Sequence, residues 1–408
     1  MTRLEPQPWM TAPQAVKLVA ALGDVRFVGG AVRNALLGQP VSEVDIATPL
    51  VPAEVAKRLV AAGIKAVPTG IAHGTITAVV DGKPYEVTTL RRDVETDGRH
   101  AVVAFTTDWA QDARRRDFTM NALYASPDGE VLDTVGGITD LKAGRVRFVG
   151  DPVARIREDY LRILRLFRFH AWYGKGEIDP DALHAAAQEK AGITRLSGER
   201  IAKEMLRLLE ARDPVAVVRT MARTSVLSEV LPGEPNLARL ANLVAIDAAD
   251  SLPPDPLMRL ASLLPGAESA VPPVEFADAI AGRWKLSAAQ RKRLEDVGGE
   301  TMHLSPELSA RDVRKLVYRL GKFRFRDFLQ LNWAEHPEEA VQWRALLAIA
   351  EAWEPPRFPL GGADAMRAGV PEGPEVGRAL AEVEQWWIDD DFAADAAALA
   401  QRLKAAAR

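Results

Sequence analysis

An apolar segment, Val25 to Val28, runs into Gly29-Gly30-Ala31-Val32-Arg33, and two acids follow one residue apart as Glu43-Val44-Asp45. Strand, glycine turn, helix and second strand in that order commit the start of the chain to a small mixed α/β unit. Adjacent glycines let backbone amides approach an anion such as phosphate closely, and Arg33 can pair with it. On a strand from Val41 to Ala47 alternate residues share a face, so Glu43 and Asp45 project together while Val44 and Ile46 pack behind. Two like charges held side by side repel unless a cation joins them, and Mg2+ takes carboxylate oxygens and phosphates together. Either piece alone also fits a polar edge strand after an ordinary glycine turn. Gly29-Gly30 is not the three-glycine dinucleotide fingerprint, which argues against nicotinamide chemistry.

A two-metal site needs a third acid, because one metal must also meet the attacking hydroxyl. The candidate is Glu86 in Tyr85-Glu86-Val87-Thr88-Thr89-Leu90-Arg91, a β-branched, alternating run after the turn Asp81-Gly82-Lys83-Pro84. A lone Glu on a strand is more commonly a solvated residue; the pair Glu43 and Asp45 is what makes this one a candidate ligand. Arg114-Arg115-Arg116 leads into the apolar segment Phe118 to Leu123, where Arg116 can reach a triphosphate or an RNA backbone. Together these residues describe nucleotidyl transfer.

The segment Arg155 to His170, RIREDYLRILRLFRFH, reads as one helix. Its apolar members Leu161, Ile163, Leu164, Leu166, Phe167 and Phe169 surround it on nearly every side, which predicts burial. Asp159, Arg162, Arg165 and Arg168 recur at intervals of three and form a slowly drifting file. Buried guanidinium groups need anionic or hydrogen-bonding partners. Two readings stay open for the file: a set of intrahelical and interdomain ion pairs, or a row that faces a nucleotide.

At 408 residues, 48% hydrophobic and 26% charged, the chain can bury large cores and is expected to form several domains. No apolar run is long enough to span a bilayer, and the start MTRLEPQPWM lacks a signal peptide's apolar centre, so a cytoplasmic location without membrane attachment is expected. The absence of cysteine excludes disulfides and thiolate metal sites. A net charge of −4 means that RNA binding must use local patches such as Arg114 to Arg116 and Arg155 to Arg168. The six histidines are scattered without HExxH spacing or a His-Asp dipeptide, which argues against an added metal hydrolase, and no obligatory protein partner is evident.

Near residue 145 strand-like segments give way to helical ones. Val25 to Val28, Val41 to Ala47, Ile76 to Val80, Tyr85 to Leu90 and Glu130 to Asp133 read as strands around two or three helices. Arg92 to Asp108 contains Asp97-Gly98-Arg99 with little periodicity and reads as a mobile loop. From Asp151 onward the pattern is helical, with proline clusters at Pro253-Pro254, Pro272-Pro273 and Pro355-Pro356 marking connections. Ala310 to Leu320 and Lys322 to Leu331 carry Arg and Lys beside aromatic residues, either an RNA-facing surface or a solvated helix face.

Several segments, taken in order, resemble the class II nucleotidyltransferases of the tRNA CCA-adding enzyme and bacterial poly(A) polymerase family: GGAVRNALLG with VSEVDIAT, PTGIAHGT, YEVTTLR, RRDFTMNAL, REDYLRILRLFRF and LSGERIAKEMLRLL. They cover about the first half of the chain, and PLGGADAMRAGVPEGPEVGRAL, from Pro359 to Leu380, is a weaker echo. The resemblance implies an α+β protein. Its nucleotidyltransferase head, of the DNA polymerase beta-like kind with a mixed β-sheet and helices, would span residues 1–145. An all-α neck for base recognition (146–215), a body (216–290) and a tRNA-binding tail (291–408) would follow.

By the same resemblance, Gly30 and Arg33 hold the incoming triphosphate. Glu43, Asp45 and Glu86 are the catalytic, metal-binding acids, with Glu86 near the primer hydroxyl. Arg116, Asp159, Arg162, Arg165 and Arg168 complete the nucleotide pocket. Mg2+ is the implied metal, CTP and ATP the substrates, and the 3′ end and acceptor arm of tRNA the partner. Asp159 and Arg162 resemble the family's protein template, and their chemistry agrees: an ionised Asp only accepts and an Arg only donates. That pair suits cytosine and adenine, which offer an exocyclic amine beside ring acceptors, and mismatches uracil and guanine. Arg92 to Asp108 corresponds to the family's flexible loop, expected to help the switch from C to A addition.

Two positions depart from the family pattern. Its first metal acid is ordinarily Asp and is Glu43 here; the Asp that commonly follows the motif arginine is Asn34. Glu is one methylene longer and places its carboxylate more loosely for a cation that tolerates geometric error poorly. Asn34, at the start of the expected helix, is expected to satisfy local backbone donors. The implied activity is template-independent addition of C, C and A to the tRNA 3′ end. The head motifs leave open a poly(A) polymerase, an enzyme adding C or A alone, and a noncatalytic tRNA-binding protein.

Overall fold

Two short helices, α1 (Pro8–Thr11) and α2 (Pro13–Leu22), each open on a proline, whose missing N–H has no helical partner to lose at that position. The chain then enters β1 (Arg26–Val28) and turns at Gly29, whose φ of 66° and ψ of −123° favour glycine, into α3 (Gly30–Leu36). Strand β2 (Asp45–Thr48) begins later than the expected Val41, so Glu43 lies in the segment leading into the strand and outside its ladder. Next come α4 (Pro52–Ala61), β3 (Lys65–Gly70), β4 (Thr75–Val80) and β5 (Lys83–Thr89). The computed structural model describes residues 2–97, 100–266, 269–299 and 302–406.

Arg92 to Asp108, expected as a loop, instead forms most of an antiparallel ribbon, β6 (Arg91–Asp97) with β7 (His100–Phe105), in which Arg91 faces Phe105 and Arg92 faces Ala104. Residues 98 and 99 lie outside the described residues. These strands pair with each other in a two-stranded sheet separate from the main one, where Asp97 faces His100. Helix α5 (Trp109–Arg114), strands β8 (Leu123–Ala125) and β9 (Val131–Asp133), and α6 (Gly137–Ala143) follow.

The main sheet has seven strands in the order β3-β4-β5-β2-β1-β8-β9, with β2 and β5 parallel and the other pairs antiparallel. Strands β3 and β8 had no clear sequence signal: β3 carries Pro68 and Gly70 with a register shift, and β8 is three residues long. On one face Ile46, Val87, Ile76, Ala78 and Val80 are buried, and α2 and α4 pack against the strands. On the other, Val28, Ala47 and Tyr124 join Ala113 of α5 in a second core, while Asp45 and Glu86 remain open to solvent.

Helices then take over: α7 (Pro152–Glu158), α8 (Leu161–Tyr173), α9 (Pro180–Glu189), α10 (Gly198–Leu209) and α11 (Val215–Arg223). The single helix expected from Arg155 to His170 is broken at Asp159, whose φ of −156° and ψ of 106° are extended. Beyond the break the pattern is as expected: Leu161, Ile163, Leu164, Leu166, Phe167 and Phe169 are buried and Arg162, Arg165 and Arg168 are half-buried. Gly192 passes under the ring beside the break, where a Cβ would stand 2.0 Å from Tyr160 Cδ1.

All these elements belong to one compact unit, Met1–Gly233 with Gly282–Leu286; the second is Glu234–Ala281 with Ser287–Arg408. The second unit is helical, its core including Phe325, Trp333 and Trp343 and a cluster formed by Ala365, Val370, Val383, Trp387, Leu399 and Leu403. Many cations of Ala310 to Leu331 are paired inside this unit, Arg314 with Asp391, Lys315 with Asp389 at 2.8 Å and Lys322 with Glu354 at 2.5 Å. Among the described residues no helix is long and apolar enough to cross a membrane. The architecture is the expected α+β one, a mixed-sheet head followed by helices.

Candidate active site

Asp45 and Glu86 stand directly opposite each other on β2 and β5, neighbouring strands roughly 4.8 Å apart. Partial burial, then Glu86, then Glu43 push the Asp45 carboxyl above the usual carboxylate range, and Arg116 pulls it the other way. Glu43 therefore reaches the same electrostatic neighbourhood from outside the ladder. All three residues are exposed, and among the described residues no cation lies within ion-pair distance of their carboxylates. The three carboxylates share one electrostatic neighbourhood and offer the oxygen chemistry a hard cation takes, but their oxygens are not all within 4.8 Å of one another, so side-chain rotation is needed to close them around one ion.

Gly29, Gly30 and Arg33 lie at the end of β1, next to the acids in strand order. Arg33 is only 7% exposed. Its Nη1 donates to Asn121 Oδ1 at 2.5 Å, its Nη2 to Tyr173 OH at 2.8 Å and to Asn34 Oδ1 at 2.9 Å, and the guanidinium lies 4.0 Å over the Tyr173 ring. Burial holds its pKa below the ordinary guanidinium value. None of these hydrogen-bond partners is an acid, and the nearby Asp117 carboxylate acts on the guanidinium only through space, so a buried positive charge is held in place by neutral groups and can attract an anion. Asn34, expected to serve backbone donors, instead accepts from Arg33 and donates Nδ2 to the Pro40 carbonyl at 2.9 Å. Its amide oxygen orients the guanidinium without cancelling its charge, as a carboxylate would.

Arg116 sits beside Gly29, its Nη1 being 3.9 Å from where a Gly29 Cβ would stand. Its Nε donates to Tyr124 OH at 3.0 Å and its Nη2 to Asp112 at 3.1 Å. Asp112 is buried and also accepts from Tyr124 OH at 2.6 Å and the Arg91 backbone N–H at 3.1 Å, which anchors the arginine.

The cation file is arranged as ion pairs. Arg162 meets Glu158 at 2.5 Å, Arg165 donates Nε to Asp117 at 2.8 Å, and Arg168 meets Glu204 at 2.5 Å. Burial works to raise the Asp117 pKa, but Arg165 and hydrogen bonds from Asn121 and Phe118 carry it well below the ordinary carboxylate range. Asp159 accepts from Arg200 at 2.7 Å and from the Leu161 backbone N–H at 3.1 Å; it is not paired with Arg162. The ion-pair reading of the file is thus observed, and it leaves the side chains of Arg162, Arg165 and Arg168 14%, 29% and 18% accessible.

Sequence reasoning overlooked the partners. Asp112 with Arg116 and Glu158 with Arg162 were detectable from i, i+4 spacing. Arg200 and Glu204 lie inside the quoted LSGERIAKEM stretch, while Asn121 and Tyr173 had no local signal.

The sequence and the fold have counterparts among known proteins. A profile of the poly A polymerase head domain matches residues 25–147, and one described as a probable RNA and SrmB-binding site of polymerase A matches residues 177–237. The human mitochondrial CCA tRNA nucleotidyltransferase 1 is 34% identical over 381 residues, covering 89% of this chain and 82% of that protein. The CCA-adding enzyme of Lacticaseibacillus paracasei is 33% identical over 384 residues, covering 91% and 90%. The CCA-adding enzyme of Bacillus stearothermophilus, solved in complex with CTP, superposes with a TM-score of 0.74 at 26% identity over 95% of this chain and 94% of that one. Similarity of this extent, over both the mixed-sheet head and the helices behind it, shows that the chain belongs to the tRNA nucleotidyltransferase (CCA-adding enzyme) and poly(A) polymerase family.

Proposed function

We propose that the protein is a template-independent CCA-adding tRNA nucleotidyltransferase that adds C, C and A to the tRNA 3′ end from CTP and ATP, releasing pyrophosphate. The observation that carries this reading is the register of Asp45 against Glu86, with Glu43 acting on Asp45 and the buried Arg33, hydrogen-bonded only to neutral groups, near the glycine turn. The names of the relatives favour it over a poly(A) polymerase or a noncatalytic binder.

The donor chemistry fits Mg2+: oxygen ligands only, two of them on neighbouring strands, with the Asp45 pKa raised by burial and then by Glu86 and Glu43. Mg2+ bound by Glu43, Asp45 and Glu86 would stabilise charge on the attacking and leaving oxygens. Gly30 and Arg33 bind and orient the triphosphate, and Arg116 adds positive charge between it and Asp45. The tRNA terminal hydroxyl, beside Glu86, attacks the α-phosphorus and gives up its proton to a neighbouring carboxylate or to water; the new oxygen–phosphorus bond forms as the bond to pyrophosphate breaks. Asp159 and Arg162 select the base, Arg165 and Arg168 complete the pocket, and the neighbouring acids hold these side chains ready. Head (1–145), neck (146–215), body (216–290) and tail (291–408) remain our assignment of roles along the chain. A cytoplasmic location is part of the same reading, supported by the cysteine-free composition, although the human relative is mitochondrial.

The test is extension of a tRNA lacking its terminal CCA, resolved to single nucleotides, with Mg2+ and CTP, ATP or both. Two additions with CTP alone and a stop at three with both are expected. A long ladder with ATP alone would mean polyadenylation, and binding without extension would mean a noncatalytic protein.

A further inference from the structure

In-line displacement puts the entering and leaving oxygens on opposite sides of the phosphorus. The strand order turns that requirement into a direction. The leaving pyrophosphate belongs beside Gly30 and Arg33 at β1, and the acids stand on β2 and β5. The entering hydroxyl must therefore come over the other half of the sheet, where β4 and β3 continue the row.

That half of the open face carries hydroxyls. Thr77 is directly opposite Glu86, and Thr75 is opposite Thr88. Thr69 Oγ1 lies 2.8 Å from Thr77 Oγ1, and Thr75 Oγ1 lies 3.1 Å from Thr88 Oγ1. Because Ile76, Ala78 and Val80 point into the core, Thr75 and Thr77 point outward; Thr77 is half-buried and Thr69 exposed. Next to the third acid this face thus presents the hydroxyls of Thr77 and Thr69, with Val67, Val79 and Lys65 flanking them on the same side of the sheet.

We infer that the Thr69 and Thr77 hydroxyl pair seats the ribose and phosphate of the terminal RNA nucleotide, presenting its 3′ hydroxyl to Glu86 and Asp45. The inference rests on the proposed tRNA nucleotidyl transfer and assigns both threonines as positioning residues. A mutually bonded hydroxyl pair keeps one free O–H and several lone pairs, so it can donate to a phosphate oxygen and accept from a ribose 2′ hydroxyl. Neutral contacts also suit an RNA end that must advance after each addition, since each is weak enough to break and reform.

Valine keeps the β-branched shape and strand preference of threonine while deleting the hydroxyl. The full-length Thr77→Val, Thr69→Val and Thr77→Ser variants are assayed with CTP on tRNA lacking CCA, and CTP affinity is measured separately without tRNA. Thr77→Val is expected to raise the KM for tRNA about tenfold, the loss of roughly one hydrogen bond, with CTP affinity unchanged. Thr69→Val should shift it in the same direction and Thr77→Ser should restore it. An unaltered KM for tRNA in both valine variants, a matching loss of CTP affinity, or a serine variant as impaired as the valine one would overturn the inference. A wild-type chain that extends no tRNA would instead bring down the proposed function, and this inference with it.

Discussion

Asp159 is held by Arg200, Nη2 to Oδ2 at 2.7 Å, and not by Arg162 three residues along. Arg162 turns instead to Glu158 at 2.5 Å and to the Arg155 carbonyl at 2.8 Å. Each member of the proposed base-reading pair is therefore oriented by a separate partner before a nucleotide arrives. Such preorganisation suits selection by mismatch, because a side chain free to turn can accommodate the wrong base.

Asp159→Ala is accordingly expected to lower the ratio of kcat/KM for CTP over UTP by about 10²-fold while slowing CTP addition less. Arg200→Ala, which frees the carboxylate without removing it, should move the ratio in the same direction by a smaller factor. Unchanged discrimination in Asp159→Ala would rule out its role as template.

Arg33 offers the complementary case, since its proposed target is the triphosphate common to all substrates. A lysine ammonium cannot span Asn34, Asn121 and Tyr173 together. Arg33→Lys is expected to raise the KM for CTP and ATP alike, by about tenfold or more, with the CTP to UTP ratio intact. Steady-state kinetics with each nucleotide decide it; a change confined to one base would contradict the assignment.

The raised pKa of Asp45 has a sign that can be measured. The native state keeps this proton to higher pH than the unfolded chain does, so metal-free protein loses stability as pH rises from the ordinary carboxylate range through the raised native value. Asp45→Asn removes that cost. In EDTA the variant should melt above wild type at neutral pH, with the gap shrinking in acid, while nucleotide addition falls on the order of 10³-fold. Equal melting curves at neutral pH would show that neither burial nor the neighbouring acids burden the ionised Asp45.

Glu43 lies outside the strand, where its extra methylene is not constrained by the ladder. Glu43→Asp is expected to raise kcat with Mg2+ by about threefold to tenfold and to change it less with Mn2+, given the strict geometry Mg2+ demands. Parallel assays with the two metals test this, and a loss of activity with both would show that the longer side chain is required.

Gly192 tests the break that places Asp159. A Cβ there would stand 2.0 Å from the Tyr160 ring, so Gly192→Ala should cost about 1–3 kcal/mol in urea unfolding, and Tyr160→Ala should recover part of it. Additive losses would mean that the two positions do not meet.

The order of strand, glycine turn and helix at Val25 to Leu36, the buried apolar surface of α8 and the half-buried arginine stripe along it were all legible in the sequence. Each is a local periodicity written in side-chain spacing. Tertiary structure decided the rest. Asp45 and Glu86 become neighbours only because β2 and β5 pair in parallel, and Glu43 joins them from outside the ladder. The helix breaks at Asp159, whose carboxylate finds Arg200 at a separation of 41 residues; Arg91–Asp97 and His100–Phe105 pair with each other as a ribbon; and Arg33 is held by Tyr173, 140 residues away. Spacing along a chain states which face a residue occupies, but the partner it meets depends on which elements pack together, and that is settled by burial over the whole unit.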